Sequence, residues 1–543
     1  MEKMWNKINW TKIEFMIYDL QCKIFQSSKK EQNCKQKIAT RTLQKQLLNL
    51  EEAKMISVRK VSQDNRGKNT LGVDGMKTLN NLERIELLSK LHLDGSSDTI
   101  RRVFISKKNK KLDAVGISTI KDKAKQSLVL LALEPEWEAV FETNNYGNRP
   151  CYSAADAKWA ITRQIQGLPK YILDAGIKGC FENVNHEYLL EKLNQSNMVT
   201  NQIESWLKAG ILRDFKNLEP NKKETPPSGV ISPLLSNIAL HGMENLVKNK
   251  FGEKLKLIRY SDAFLVFGKN LEDVKASKLI IEEFLKPIGL ELSQNKTSIK
   301  HSLNVIEGKS PGVNFLGFNF KNISCSKHQG VKSTQGVKQA FIQQCIPSSE
   351  SVRTHKFCLK ALLSRYKNAP LESVVNQLSL KIRGWTEYFR ISQSTKTFSQ
   401  LDGWLFNLLW KWSVKRYKSA ADAKARCFSV EGWKFGFKNK DKTFILKRHD
   451  QTKVKNHIKI KANASIYDGQ LLYFAKRVPL NNSHVSKLNG LFKKQEFKCK
   501  FCHAFFKPTD IIEIHHVIKD FKKTGEIQFL HNFCHDKIHS SNS

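Results

Sequence analysis

Apolar residues change their spacing along the chain, and those changes divide it into segments. Charged helical patterning, as in 43–58, runs through residues 1–75 and closes at Asn65-Arg-Gly-Lys-Asn-Thr-Leu-Gly-Val-Asp-Gly75, whose glycines read as turns. Across 101–320, short apolar runs alternate with amphipathic helices, the mixed pattern of an α+β core. Inside it, Leu257-Ile-Arg-Tyr-Ser-Asp-Ala-Phe-Leu-Val-Phe267 predicts an apolar strand, a tight turn carrying an acid, and a returning apolar strand. Residues 324–336 are polar and rich in Lys, Ser and Gly, which marks a boundary. Helical spacing with many Trp, Phe and Lys then fills 346–478, and Pro479-Leu-Asn-Asn-Ser-His484 reads as a second linker. A compact Cys/His module, 485–543, follows. The pattern contains no internal repeat and no low-complexity stretch.

Composition narrows the partners. With 543 residues, 40% of them apolar, the chain can bury several ordinary cores. Lys+Arg of 91 against Asp+Glu of 51 gives a net charge of +40, which attracts polyanions and makes nucleic acid the first partner to consider. No apolar run approaches the ~18 residues of a membrane span, so no membrane partner is expected. The opening Met1-Glu-Lys-Met-Trp-Asn-Lys7 lacks a hydrophobic signal core, and its glutamate does not suit a transit peptide, so the protein is expected to work where it is made. Its 11 cysteines are mostly scattered singly, as free thiols in a reducing compartment are; only the last three have metal-like spacing.

The turn Tyr260-Ser-Asp-Ala263 resembles the Tyr-x-Asp-Asp turn of reverse transcriptases, with alanine at the second acid. Further matching segments come in family order: Val61-Ser-Gln-Asp-Asn-Arg-Gly67, Gly116-Ile-Ser-Thr-Ile-Lys-Asp122, Leu133-Glu-Pro-Glu-Trp-Glu138, Tyr146-Gly-Asn-Arg-Pro150, Ile177-Lys-Gly-Cys-Phe181, Gly229-Val-Ile-Ser-Pro-Leu-Leu235 and Phe315-Leu-Gly-Phe318. Together they resemble group II intron reverse transcriptase/maturases over nearly the whole chain. The resemblance implies an N-terminal extension (1–75), right-hand polymerase-like fingers and palm (76–323), a helical thumb or maturase domain X (346–478), and a small zinc-binding ββα-metal HNH module (485–543).

Two-metal phosphoryl transfer needs acids that hold ions about 3.5–4 Å apart, and the family supplies three aspartates. The first belongs immediately before Ile177, where this chain has Gly176; of the turn pair, Asp262 remains and Ala263 replaces the other. Asp174 would share the strand face of position 176 but sits about 6.6 Å along, at roughly 3.3 Å per residue. One carboxylate cannot orient two magnesium ions, so polymerisation is expected to fall by orders of magnitude. Where the family has Arg-Pro facing the triphosphate, this chain has Asp113-Ala114, and Thr-Pro-Gln-Gly-Gly becomes Thr225-Pro-Pro-Ser-Gly229. Asp262 and Lys296, which matches the lysine near the leaving pyrophosphate, are the catalytic candidates that persist. Asp262 equally reads as a hairpin turn residue and Lys296 as a solvated lysine.

In the helical region, Ile382-Arg-Gly-Trp-Thr-Glu-Tyr-Phe-Arg390, Leu408-Leu-Trp-Lys-Trp-Ser-Val-Lys-Arg-Tyr-Lys418 and Gly432-Trp-Lys-Phe-Gly-Phe-Lys438 interleave aromatics with bases. Flat rings can stack on unpaired bases at roughly 1–3 kcal/mol each while Lys and Arg follow phosphates. Candidate RNA contacts are Arg383, Trp385, Arg390, Lys411, Lys415, Arg416, Lys418 and Lys434, with the basic residues favoured, because Trp385, Trp410, Trp412 and Trp433 also suit a core. Domain X resemblance extends to Arg383-Gly-Trp385 and Tyr467-Asp-Gly469, and implies a protein that clamps intron RNA. Such a role needs no carboxylates from the protein, because the RNA performs the transesterifications.

Cys499-Lys-Phe-Cys502 and His531-Asn-Phe-Cys534 have the knuckle spacing of a structural Zn2+ site. His535 and His539, four apart, share a helical face. The module resembles HNH endonucleases, by which His515, His535 and His539 would hold Mg2+ or another divalent ion and His516 would activate water. Glu526 stands where that family has a central asparagine, and Asp536-Lys-Ile-His539 displaces its Lys-Thr. A DNA-binding finger without cleavage fits the histidines equally.

The expected function is an intron maturase that binds group II intron RNA and assists splicing without polymerising. The alternatives are a mobility enzyme that nicks a DNA target and keeps residual polymerase activity, and an orphan factor serving other introns. Homodimerisation is left open. Heavy use of Lys, Asn and Ile suits an AT-rich genome, hence an organelle, a chloroplast before a mitochondrion, with a bacterial cytoplasm as the alternative.

Overall fold

A computed structural model describes the chain except residues 1, 35–36, 65–71, 77–78, 107–111, 214–216, 220–228, 326–339, 431–433, 440–441, 483–484, 487, 518–525 and 541–543. The expected turn at 65–71, Thr225 to Ser228 of the altered nucleotide motif, most of the 324–336 boundary and Trp433 therefore lie outside the described residues, as do the side chains of Asp113, Ala114 and Glu526. Among the described residues no helix is long and apolar enough to cross a membrane.

The expected mixed architecture is present. Helices Trp10–Lys30, Ile38–Asn49 and Glu51–Arg59 lie against the helix Ile120–Glu138. The first is started by Asn9, whose side chain accepts from Lys12 N, and turns Ile13, Ile17, Leu20 and Ile24 inward at helical spacing. A single buried carboxylate staples the layer: Glu136 accepts from Lys37 Nζ (3.0 Å), Arg41 Nη1 (2.7 Å) and the Gln44 and Gln195 amides (2.8 Å each). Its cost of burial is offset because every one of these donors is aimed at it.

Two four-stranded sheets follow. One runs in the order Leu112–Ile117, Ile100–Ser106, Ile211–Arg213, Asn217–Glu219. The other, which carries the Tyr-Ser-Asp-Ala turn, runs Leu255–Tyr260, Ala263–Gly268, Tyr171–Gly176, Ser298–His301 and is antiparallel throughout. Its central strands alternate few polar residues because both faces are covered, with Leu173, Phe264 and Val266 in one core and Ile172, Leu265 and Phe267 in another.

The chain on either side of the expected boundary shares one sheet: Phe318–Ser324 pairs antiparallel with Phe341–Pro347 from Phe318↔Pro347 to Ser324↔Phe341. Beyond it stand the helices Ser349–Arg365, Leu371–Phe389, Thr395–Tyr417 and Ala420–Cys427, then a hairpin, Gly436–Asn439 with Lys442–Ile445. Residues 457–468 return to the mixed core. Asp156, fully buried, accepts from His457 Nε2 (2.9 Å), Ile460 N (2.8 Å) and Arg477 Nη2 (3.2 Å), while Tyr18 Oη donates to Ile466 O (2.7 Å) and Tyr467 Oη to Glu134. The expected second linker differs from the structure at its start. Helix Leu471–Asn481 runs through Pro479, held by Val478, which is buried in the Cys/His module's core with Val485 and Phe492.

Candidate functional site

In the palm-like sheet, Gly176 is the register partner of Ala263. Residues directly opposite in an antiparallel pair carry their Cβ atoms ~4.5–5.5 Å apart, so the two positions expected to bear carboxylates face each other and present a hydrogen and a methyl group. Lys296 lies across the gap: a Cβ on Gly176 would meet its Cδ at 3.3 Å and its Cβ at 3.6 Å. Asp262 is half-exposed in the turn, and its carbonyl accepts from Ile177 N at 3.0 Å. Asp174 is engaged elsewhere, with its carboxylate 3.1 Å from Lys300 Nζ; burial pushes its pKa up and Lys300 opposes the shift. Among the described residues, no cluster of His, Cys, Asp and Glu within ligand reach of one another includes Asp262 or Asp174.

The turn is nevertheless held tightly. Ser261 has φ 58°, and Gly147 presses against it so closely that a Cβ there would fall 2.2 Å from Ser261 N. Only glycine fits. Asn148 Nδ2 donates to Ser261 Oγ (3.1 Å), Asn237 Nδ2 to Gly147 O (2.8 Å), and buried Arg259 Nη1 to Asn237 Oδ1 (2.8 Å). Arg149 of the same Tyr-Gly-Asn-Arg-Pro segment is buried and donates two bonds of 2.9 Å to Glu138, which ties two of the matching segments together. Glu142 accepts from Gly242 N (2.6 Å) and lies 3.1 Å from His241 Nδ1. Sequence reading did not find Asn237, Glu142 and His241, since such partners have no local spacing signature.

In the thumb-like region, Lys411, Lys415, Lys418 and Lys434 are exposed, with Lys411 and Lys415 one turn apart on helix Thr395–Tyr417. Arg383 is half-buried. Arg390 is tied to Glu387 at 2.6 Å, and Arg416 donates to Lys367 O at 3.2 Å. Trp385 stacks on His355 (centroids 4.6 Å apart, planes 13°) and packs against Phe389 and Phe398, the core alternative foreseen for it. Trp412 donates Nε1–H to Leu363 O (3.2 Å). His355 Nε2 lies 2.9 Å from His449 Nε2, and His449 Nδ1 lies 2.7 Å from Asp402 Oδ1, a buried relay joining three parts of the thumb.

At the C-terminal module, the ligand atoms of Cys499, Cys502, His531 and Cys534 all lie within 4.8 Å of one another. Tetrahedral zinc with sulfurs at ~2.3 Å fits such a set. Hydrogen bonds from Cys502 and Cys534 hold the Cys499 thiol low, toward the thiolate that a metal needs. Asp510 sits 3.2 Å from Nε2 of His531, which leaves Nδ1 for the sulfur side, the carboxylate–histidine arrangement of ligating imidazoles. A second cluster joins His515, on strand Ile512–Val517, to His535 and His539 on helix Asn532–Ser540, again within 4.8 Å. Glu513 Oε2 contacts His535 Nδ1 at 2.8 Å, and burial, then the neighbouring histidines, lower the His515 pKa, favouring the neutral, ligating imidazole. His516 alternates to the other strand face and is exposed. The strand Ile512–Val517, its partner Glu526–His531 and the helix form a β-β-α unit.

Comparison with known proteins agrees with the reverse transcriptase-like and maturase parts of this layout. Residues 105–320 match the family described as reverse transcriptase (RNA-dependent DNA polymerase), 5–91 the N-terminal domain of reverse transcriptase, and 352–428 the group II intron, maturase-specific domain. The chain is 27% identical over 378 residues to the group II intron-encoded protein LtrA of Lactococcus lactis subsp. cremoris, covering 55% of this chain and 60% of that one. It is 29% identical over 359 residues to maturase-like protein 1 of Euglena gracilis (64% and 70% covered), and 25% identical over 452 residues to maturase-like protein 1 of Euglena longa (80% and 89% covered).

Proposed function

The chain belongs to the group II intron reverse transcriptase/maturase family, and on that premise we propose that it binds group II intron RNA and assists its splicing through a palm that no longer polymerises. The observation that carries this reading is the pairing of Gly176 with Ala263 beneath Lys296, in a chain whose maturase-specific domain is retained. A lysine chain lies against the position where the first metal-binding carboxylate belongs, while Gly147, Asn237 and Arg259 keep the surrounding turn rigid. The frame suits a scaffold for RNA, with Lys411, Lys415, Lys418 and Lys434 as phosphate contacts. The test is a splicing assay of the surrounding intron with and without the protein, run beside primer extension with magnesium and deoxynucleotides. Faster or more complete splicing without primer extension is expected; unchanged splicing, or robust extension, overturns the proposal.

A second reading rests on the histidine cluster. The Cys499, Cys502, His531 and Cys534 set fits a closed structural zinc site, and His515, His535 and His539 fit a second divalent ion, Mg2+ or another. When bound there, such an ion supplies charge stabilisation for attack on a DNA phosphodiester. His516, exposed beside the cluster, would take the proton from the attacking water. His516→Ala should abolish strand nicking by the full chain, and nicking that persists in the variant rejects that base.

A further inference from the structure

Between helix Thr395–Tyr417 and residues 434–435 and 446–448 runs an open groove of ≈ 480 Å³, within the ~300–1,000 Å³ of small-ligand sites. Its floor is apolar and rigid: Leu405, Leu409, Phe435 and Leu446 are each buried. One wall is Phe406, whose ring is 39% exposed yet pinned edge-on against Phe428 (centroids 5.6 Å, planes 65°). Lys434 and Arg448 stand exposed at the rim, Arg448 with its guanidinium also paired to the Asp450 carboxylate and 3.9 Å from Asp402 Oδ2. The one acid that lines the groove, Asp402, is spent internally, accepting from His449 N (2.8 Å) and Asp450 N (3.0 Å) and contacting His449 Nδ1, with 9% of its side chain exposed.

A separate feature points to an occupant. Gly403 lines the groove from the interior of a 23-residue helix, where glycine is unfavourable. A Cβ added there would meet no atom within 4 Å, so nothing in the protein's own packing demands its absence. As at Gly384 in helix Leu371–Phe389, no internal contact explains the glycine; at Gly403 the bare backbone also opens onto the groove.

We propose that this groove receives one unpaired RNA nucleotide, the base lying against Phe406 and over the bare backbone at Gly403, with its flanking phosphates at Lys434 and Arg448. The inference rests on the intron-RNA reading above and names the part of the RNA that this surface takes. An apolar floor and aromatic wall suit any base face, and the cationic rim on a chain of net charge +40 favours a polyanion over a peptide. A base held in a duplex cannot enter, which restricts the site to loops, bulges and single strands.

The experiment uses the full chain and a short oligoribonucleotide carrying 2-aminopurine at a central position, alone and annealed to its complement, with Kd and fluorescence recorded for wild type, Phe406→Ala and Gly403→Leu. The single strand should bind wild type with a change in 2-aminopurine emission. Phe406→Ala should bind it roughly tenfold more weakly. Gly403→Leu should weaken it at least as much while its Tm stays level or rises, the opposite of what a purely structural glycine would give. Duplex binding should be indifferent to both substitutions. Wild type that binds the strand tightly, with both variants equal to it, overturns the groove and leaves the maturase reading standing. Wild type that binds neither RNA form overturns both. A change in sedimentation on Gly403→Leu without a change in RNA affinity makes the groove a seat for a second copy of the chain, and also rejects the proposal.

Discussion

At position 176, an aspartate would need the Lys296 chain to give way by a few tenths of an ångström, since Cδ stands 3.3 Å from the place of a Cβ. That chain is exposed and flexible, so the move is cheap. Across the ladder, Ala263 stands directly opposite. Gly176→Asp and Ala263→Asp combined should therefore fold like the parent and gain a palm site for divalent ions, detectable as bound Mn2+ by electron paramagnetic resonance. Either substitution alone should gain little, because a metal pair needs all of its carboxylates; Mn2+ binding that rises equally in each single variant contradicts this geometry. The missing acids were legible in the sequence, as residue identities at fixed places in a motif are. Lys296 overlying Gly176 was not, because that contact depends on the path of a segment that reaches the strand from far along the chain. Gly147 was visible only as part of a matching segment, and its reason, the backbone of Ser261 2.2 Å from a would-be Cβ, needed the fold.

The elements around the turn are joined by a charged cluster that no periodicity announces. Glu142, after helix Ile120–Glu138, bonds to the loop before helix Met243–Phe251 and faces Arg259 of the strand Leu255–Tyr260. Burial raises its carboxyl pKa, but His241, Arg259 and the Gly242 N–H outweigh burial and bring it from 4.5 to about 2. A carboxylate depressed on folding stabilises the native state above its unfolded pKa and loses that contribution as pH falls through its folded value. This group should thus contribute about 3 kcal/mol at neutral pH and surrender it between ~4.5 and ~2. Glu142→Gln should lower the unfolding free energy in urea by roughly 2–3 kcal/mol at pH 7 and flatten the acid limb; an unchanged acid limb would show that other carboxylates govern it. The thumb helices were foreseeable from spacing; the hairpin Gly436–Asn439 with Lys442–Ile445 interrupts a stretch expected to be helical, and the β-β-α unit was expected only from the HNH resemblance. Continuation of helix Leu471–Asn481 through Pro479 was not, because burial of Val478 in another module's core overrides a local breaker signal.

For the molecule as a whole, a net charge of +40 sets the energetics of any RNA complex. Lys411→Ala with Lys415→Ala should reduce the slope of log Kd against log salt by ~1–2, each lost phosphate contact removing ~0.7–0.9; a slope unaltered by both changes assigns that helix face to solvent. The parts are also mechanically linked. Lys507 and Asn532 of the Cys/His module reach Glu14 (3.3 Å) and Asp64 (2.9 Å) of the N-terminal helical layer, and Arg59 lies 4.7 Å over the Phe533 ring. Stripping metal with a thiol-competitive chelator should accordingly speed amide exchange in 499–534 and in helix Trp10–Lys30, while the palm strands stay protected. Exchange confined to 499–534 would mean that the docking is weaker than its contacts indicate. The Lys507–Glu14 contact spans 493 positions, which a ribosome moving at about 5–20 residues per second takes roughly half a minute to a minute and a half to traverse. Until then Glu14 has Arg59 as its partner but not Lys507. Closure of that seam thus waits until Lys507 has been made, and a nascent chain stalled before it lacks the contact.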